Sequence, residues 1–219
     1  VPLSKFFLSG TWNPTGSSPE FGIWALIIGT LKITVIATIV AVPIGLGAAI
    51  YLNEYASDRS RRIIKPILEI LAGIPTIVFG FFALTFVTPI LRNLIPNLGE
   101  FNSISPGIVV GIMIVPMITS MSEDAMSSVP DKIREGAFGL GATKFEVATK
   151  VVLPAATSGV VASIVLGISR AIGETMIVSL AAGSSPTSSL SLTSSIQTMT
   201  GYIVEIATGD AAFGSDIYY

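Results

Sequence analysis

Two side chains in this 219-residue sequence stand where chemistry would be most consequential. Arg170 and Glu174 are the sole charges in an apolar stretch running from Val151 to about Ala182. A guanidinium offers donors in a planar fork that fits a tetrahedral oxyanion bidentately. A carboxylate four positions on shares its helix face, where each charge lowers the burial cost of the other. Two roles are open to the pair: a structural ion pair locking two helices, or an anion path in which Arg170 receives the substrate while Glu174 competes for the guanidinium. Residue chemistry favours the path. Conventional catalytic groups are missing, since the sequence has no Cys and no His. That excludes a thiolate nucleophile, a Ser-His-Asp triad, a Cys/His zinc site and a disulfide framework. With 12 basic and 14 acidic residues and a net charge of -2, there is no basic stripe for nucleic acid.

The elements that must carry this pair belong in a membrane. The chain is 51% hydrophobic and 12% charged, against roughly 25% charged residues in soluble domains. A bilayer core of about 30 Å needs about 20 apolar residues in a helix, and four stretches qualify, predicting spans over about 23–52, 67–91, 104–122 and 154–182. Segments flanking the spans hold Arg59, Arg61, Arg62 and Lys65, then Lys132, Arg134, Lys144 and Lys150, on one side, against Lys5 and Arg92 on the other. The positive-inside rule puts the first set in the cytoplasm. An outer segment 1–22 and an outer tail 183–219 follow, the tail with one short helix near Tyr202 to Ala207. Because its first residues are placed outside without a leader, the chain is expected to be a piece that follows an upstream membrane segment.

Pro43, Pro75, Pro89 and Pro116 interrupt hydrogen-bond ladders that neighbours must re-satisfy. Gly107 with Gly111, and Gly167 with Ala171, have the small-xxx-small spacing of closely packed membrane helices. Each is explained by packing before gating. Lys32 precedes a 20-residue apolar run and is expected to snorkel to the outer interface, a substrate contact being the lesser alternative. Glu69, four residues after Lys65, is expected to pair with it.

The cytoplasmic segment 130–153 reads as two short helices. Pro130 suits a first helical position, Asp131 and Glu135 suit the positive helix end, and Gly139-Leu-Gly141 should stop the first helix. Thr143 with Glu146 forms a capping box for the second, which runs to Pro154. Glu135-Gly136-Ala137, three residues, Gly141, nine residues, then Val151-Val152-Leu153-Pro154 resembles the EAA loop of ABC-importer permeases, EAA-x3-G-x9-I-x-L-P. Gly136 replaces the usual Ala and Val151 the usual Ile. The resemblance implies a coupling helix seated in a cytoplasmic ATPase subunit, with Glu135, Gly136, Ala137, Gly141, Val151, Leu153 and Pro154 as its frame.

Arg170-Ala-Ile-Gly-Glu-Thr-Met176, Thr11-Trp-Asn-Pro14, Gly29-Thr-Leu31 and Glu69-Ile-Leu-Ala-Gly-Ile-Pro75 look like the PstC-type permeases of phosphate importers. Sulfate and molybdate permeases share the Arg and Glu frame but usually follow Gly-Glu with Phe-Gly. The resemblance implies an all-α, polytopic helical bundle of the MetI-like type, four spans of a six-span chain, in a bacterial or archaeal cell membrane. It further implies a second related permease subunit, two ATPase subunits carrying ATP and Mg, and an external phosphate-binding protein. This chain should bind no cofactor: Gly139-Leu-Gly-Ala-Thr-Lys144 lacks the spacing of a phosphate loop, and Gly45-Leu-Gly47 is no dinucleotide fingerprint. Alternatives are a permease for another oxyanion, or an ion-coupled secondary transporter or channel, which needs no EAA spacing. A membrane-embedded enzyme lacks any dyad or His/Cys cluster to support it.

Overall fold

The structure, a computed structural model, describes residues 6–7, 9–13 and 20–208. Lys5, Pro14 and the end of the expected tail, 209–219, lie outside the described residues. A two-residue hairpin, β1 (Trp12–Asn13) and β2 (Glu20–Phe21), pairs Trp12 with Phe21 antiparallel. Helices follow: α1 (Trp24–Tyr55), α2 (Asp58–Gly73), α3 (Thr76–Leu94), α4 (Ile104–Ser127), α5 (Asp131–Gly139), α6 (Lys144–Ala155), α7 (Thr157–Ile172), α8 (Met176–Ala181) and α9 (Met199–Thr208). Among the described residues α1, α3 and α4 are long and apolar enough to cross a membrane. The pair α6 and α7, bent by 76° at Ala156, passes as a fourth when taken together.

Two expected spans start or stop elsewhere. Residues 67–73 belong to α2, where Ile63, Ile67 and Ile70 line an exposed apolar face among Arg59, Arg62, Lys65 and Glu69. The helix stops because Pro75 pushes Ile74 into extended backbone (ψ 129°). Ser57 caps its start, its Oγ accepting the Ser60 N–H at 3.2 Å. The last expected span, 154–182, is likewise discontinuous. Its helix α7 starts at Thr157, ends at Ile172 and resumes as α8 only at Met176.

Proline shapes two of the spans. In α3 the stretch Ala83–Val87 widens to a π-helix just before Pro89, and in α6 Val147–Val152 does so before Pro154. A proline ring collides with the carbonyl four residues back and lacks an N–H, so widening the preceding turn relieves the clash. In α3, Thr88 Oγ1 donates to the Ala83 carbonyl at 2.9 Å.

The chain forms two compact units. The first takes Val1–Ala37, Pro75–Val110 and Ala171–Tyr219. In it α3 and α8 touch closely: a Cβ on Gly80 would meet the Met176 carbonyl at 3.2 Å and Leu180 Cδ1 at 2.7 Å. The Ser- and Thr-rich run before α9 is tied down by backbone bonds from Ser103 to Leu192 (3.2 Å), Gly99 to Thr193 (3.0 Å) and Ile196 to Ala182 (3.0 Å). The Trp12 ring meets Phe21 and Tyr202 edge-on, with centroids 6.0 and 5.0 Å apart. The helix expected near Tyr202 is α9.

The second unit takes Thr38–Ile74 and Gly111–Arg170. Here α4 is the central post. Gly45 of α1 and Gly167 of α7 both face Ile118, and a Cβ on Gly159 would run into the Ala125 side chain. Lipid gives helices no hydrophobic drive to associate, so close approach at small residues supplies the packing. Ser122 and Ser163 share a buried hydrogen bond at 2.6 Å, and Thr119 donates to the Gly45 carbonyl at 3.2 Å. Replacing Gly159 by Val is expected to overpack this contact and destabilise the unit by about 1–3 kcal/mol. Thermal unfolding in detergent reads the effect, and an unchanged midpoint would contradict the packing.

Candidate functional site

The loop that carries the EAA-like frame owes its shape to two local devices. Helix α5 ends in a Schellman arrangement: the Ala142 N–H bonds the Ala137 carbonyl at 3.1 Å and the Gly141 N–H bonds that of Phe138 at 2.9 Å. Gly141 sits at the left-handed position this closure demands, with φ +87°. That is the physical content of a glycine four residues after Ala137. The expected capping box then starts α6: Thr143 Oγ1 accepts the Glu146 N–H at 3.3 Å and Glu146 Oε2 accepts the Thr143 N–H at 3.1 Å. Lys150 reinforces it from one turn on, 3.0 Å from Glu146 Oε1.

These ends leave α5 held along one side only. Ala137 packs on a buried cluster that includes Met126, Val129, Val147 and Val152, and Val151 and Leu153 pack against the same cluster. Glu135 and Gly136 are exposed, as is Pro154 at the bend that precedes α7. A Cβ on Gly136 would meet open space. Around them Ile133, Phe138, Leu140 and Phe145 present uncovered apolar side chains, Leu140 being 91% exposed.

Arg170 and Glu174 do not form the helical pair the spacing predicts. Arg170 is exposed in the last turn of α7. Beyond Ile172 the Glu174 N–H closes a tight turn onto the Ala171 carbonyl at 3.3 Å. Gly173, a poor helix former, sits in that break. The Glu174 carboxylate is buried and accepts the Ile177 N–H at 3.3 Å, while its carbonyl takes the Thr200 hydroxyl at 2.9 Å. Neither residue belongs to an ion pair among the described residues.

Lys32 is not snorkelling. It is 8% exposed, and its ammonium donates to the carbonyls of Ser189 and Ser191 in the Ser-rich run, the latter at 2.9 Å. Carbonyl dipoles thus stabilise the cation inside the first unit. Lys65 does not turn to Glu69 either; it reaches Glu123 at 2.8 Å, a carboxylate 5% exposed at the end of α4. Glu54, its side chain 8% exposed, lies 3.4 Å from Arg134. Neither ion pair is legible in the sequence, because each acid stands where a span meets its loop and its partner lies far along the chain. The available signal was an acid directly adjoining an apolar run.

Residues 41–214 match the family described as binding-protein-dependent transport system inner membrane component. A probable ABC transporter permease protein, YqgH of Bacillus subtilis, is 36% identical over 212 residues, covering 96% of this chain and 68% of the relative. The phosphate transport system permease proteins PstC of Haemophilus influenzae and Pasteurella multocida are 37% and 38% identical, over 83% and 82% of this chain. The chain spans 63% and 61% of the lengths of those two. In structure it is similar to a chain of the MetNI methionine ABC transporter in an inward-facing conformation, with a TM-score of 0.53, 21% identity, and coverage of 69% of this chain and 68% of that one. That likeness is one of fold.

Two glycines of the loop are expected to respond oppositely. Gly141→Ala places a side chain in left-handed backbone and costs about 1–2 kcal/mol. Gly136→Ala meets open space and should stabilise α5 by up to about 1 kcal/mol. Amide hydrogen exchange across 131–142 would show protection falling in the first and rising in the second; equal responses would contradict the Schellman assignment.

Proposed function

Because the chain belongs to the binding-protein-dependent transport system inner membrane component family, we propose that it is a permease subunit of an ATP-driven importer of inorganic phosphate. As a member of a transport family it is an integral membrane permease rather than an enzyme. ATP hydrolysis then belongs to separate cytoplasmic ATPase subunits. A second, related permease completes the path, and an external binding protein delivers phosphate.

The observation that carries this reading is α5. It is a short helix in the EAA frame, closed at Gly141, with Glu135 exposed and Leu140 and Phe145 uncovered. An apolar knob beside an exposed acid is poorly suited to water and well suited to a groove on a partner. A secondary transporter has no need of such a projection. The phosphate assignment is supported by the PstC relatives and by the Gly173-Glu174-Thr175-Met176 sequence.

On the substrate side, Arg170 supplies the oxyanion contact. Glu174 keeps its carboxylate occupied by the Ile177 N–H, and Arg170, exposed in the last turn of α7, offers a guanidinium that takes phosphate oxygens bidentately. Glu174 therefore acts by shaping the break after α7.

Labelled-phosphate uptake in cells stripped of their own phosphate importers tests the assignments, using the complete transporter. Arg170→Gln is expected to abolish uptake while the subunits still assemble and hydrolyse ATP; loss of assembly instead would make Arg170 structural. Glu135→Lys is expected to weaken ATPase retention at least about tenfold, the loss typical of one broken buried charge contact. Unchanged co-purification would contradict the coupling role of α5.

A further inference from the structure

Arg134 has no part in the phosphate or ATPase contacts proposed above, yet its guanidinium joins three pieces of the second unit. Nη1 donates to Asp131 Oδ1, one turn back in α5, at 2.8 Å. Nη2 donates to the backbone carbonyl of Met126, in the last turns of α4, at 2.7 Å. Nε lies 3.4 Å from Glu54 Oε1, in the π-helical end of α1. The Arg134 side chain is only 16% exposed.

The acid it meets is itself held in place. Asn53 Nδ2 donates to Glu54 Oε1 at 2.6 Å. Asn53 also accepts Ser127 Oγ on its side-chain oxygen at 3.0 Å and Arg61 Nη2 on its carbonyl at 2.9 Å. A continuous polar network therefore runs from α5 through Arg134 to the ends of α1 and α4, and on to α2.

This network is a poor choice for stability alone, since a buried ion pair rarely gains over apolar packing. It is a good choice for transmission. No residue of α5 is fully buried, and its grip on the unit includes Ala137 on the apolar cluster and the Arg134 contacts. An apolar contact slides at small cost, whereas a planar guanidinium hydrogen-bonded to Asp131 and to the Met126 carbonyl, and charge-paired with Glu54 through an Nε that has no hydrogen bond of its own, holds both distance and direction. Coupling between sites needs contiguous elements that move as one, and Arg134 is where α5 is joined to both span ends.

We propose that Arg134 is the positioning residue through which displacement of α5 reaches the cytoplasmic ends of α1 and α4, and so couples nucleotide hydrolysis on a partner to substrate movement. The proposal rests on the permease reading above. Its signature is uncoupling: the ATPase stays bound and active while transport per ATP collapses.

The complete transporter, with its partner subunits in vesicles, would be compared with Arg134→Gln, Glu54→Gln and the double variant. The readouts are ATPase retained on purification, ATP hydrolysed, and phosphate imported per ATP. Each single variant is expected to retain the ATPase and lose import per ATP by about tenfold, and the double to lose no more than either single. If Arg134→Gln accumulates poorly, Glu54→Gln carries the test, because it leaves the Asp131 and Met126 bonds intact. Arg134→Lys, which keeps the charge without the fork, is expected to recover only part of the ratio. A wild-type ratio in Glu54→Gln, or loss of ATPase binding in Arg134→Gln, overturns the proposal. Absence of ATP-dependent phosphate uptake by the unaltered complex would instead overturn the permease reading beneath it.

Discussion

Hydrocarbon cannot hydrate an ion, and nearly every polar feature of this chain answers to that constraint. A charge within or beside a span must be neutralised, bonded to the backbone or given access to water. Lys32 is bonded by two carbonyls, Glu174 by a backbone N–H, and Glu54 and Glu123 by basic partners brought from other elements. Arg170 is treated differently, remaining exposed and outside any ion pair among the described residues.

The same constraint governs the backbone. Prolines in α3 and α6 are preceded by π-turns, and in the first of these the Thr88 hydroxyl folds back onto the Ala83 carbonyl. Serines of α4 and α7 bond each other where the two helices come close enough for Gly159 and Gly167 to be required. Packing at small residues and paired polar groups hold the second unit together, with an apolar cluster at one end where the loop helices attach. Helix α5 is thus fastened to the second unit at that apolar cluster and through Arg134.

Local features are legible in the sequence because their physics is local. Apolar runs identify α1 and α4, the Gly139-Leu-Gly141 turn marks a helix end, and Thr143 with Glu146 marks the next start. The breaks were harder. A hydropathy run passes through Ile74-Pro75 and through Gly173 without a change in composition, although proline and glycine there end the helices. Partner choice was least legible: Lys65 had Glu69 one turn away but pairs with Glu123, and Lys32 finds carbonyls more than 150 positions on. Sequence distance says nothing about which groups a fold brings together. The Arg170 and Glu174 spacing illustrates the cost, since i,i+4 neighbours share a face only while the helix continues.

The central claim is that partner-driven ATP hydrolysis moves phosphate through this chain. The most direct measurement is phosphate accumulation by liposomes holding the complete transporter, with ATP enclosed or omitted, the binding protein outside, and sulfate present as competitor. The account predicts accumulation that requires enclosed ATP and is indifferent to sulfate. Accumulation without ATP, driven by an ion gradient, would contradict it, as would sulfate taken up in place of phosphate.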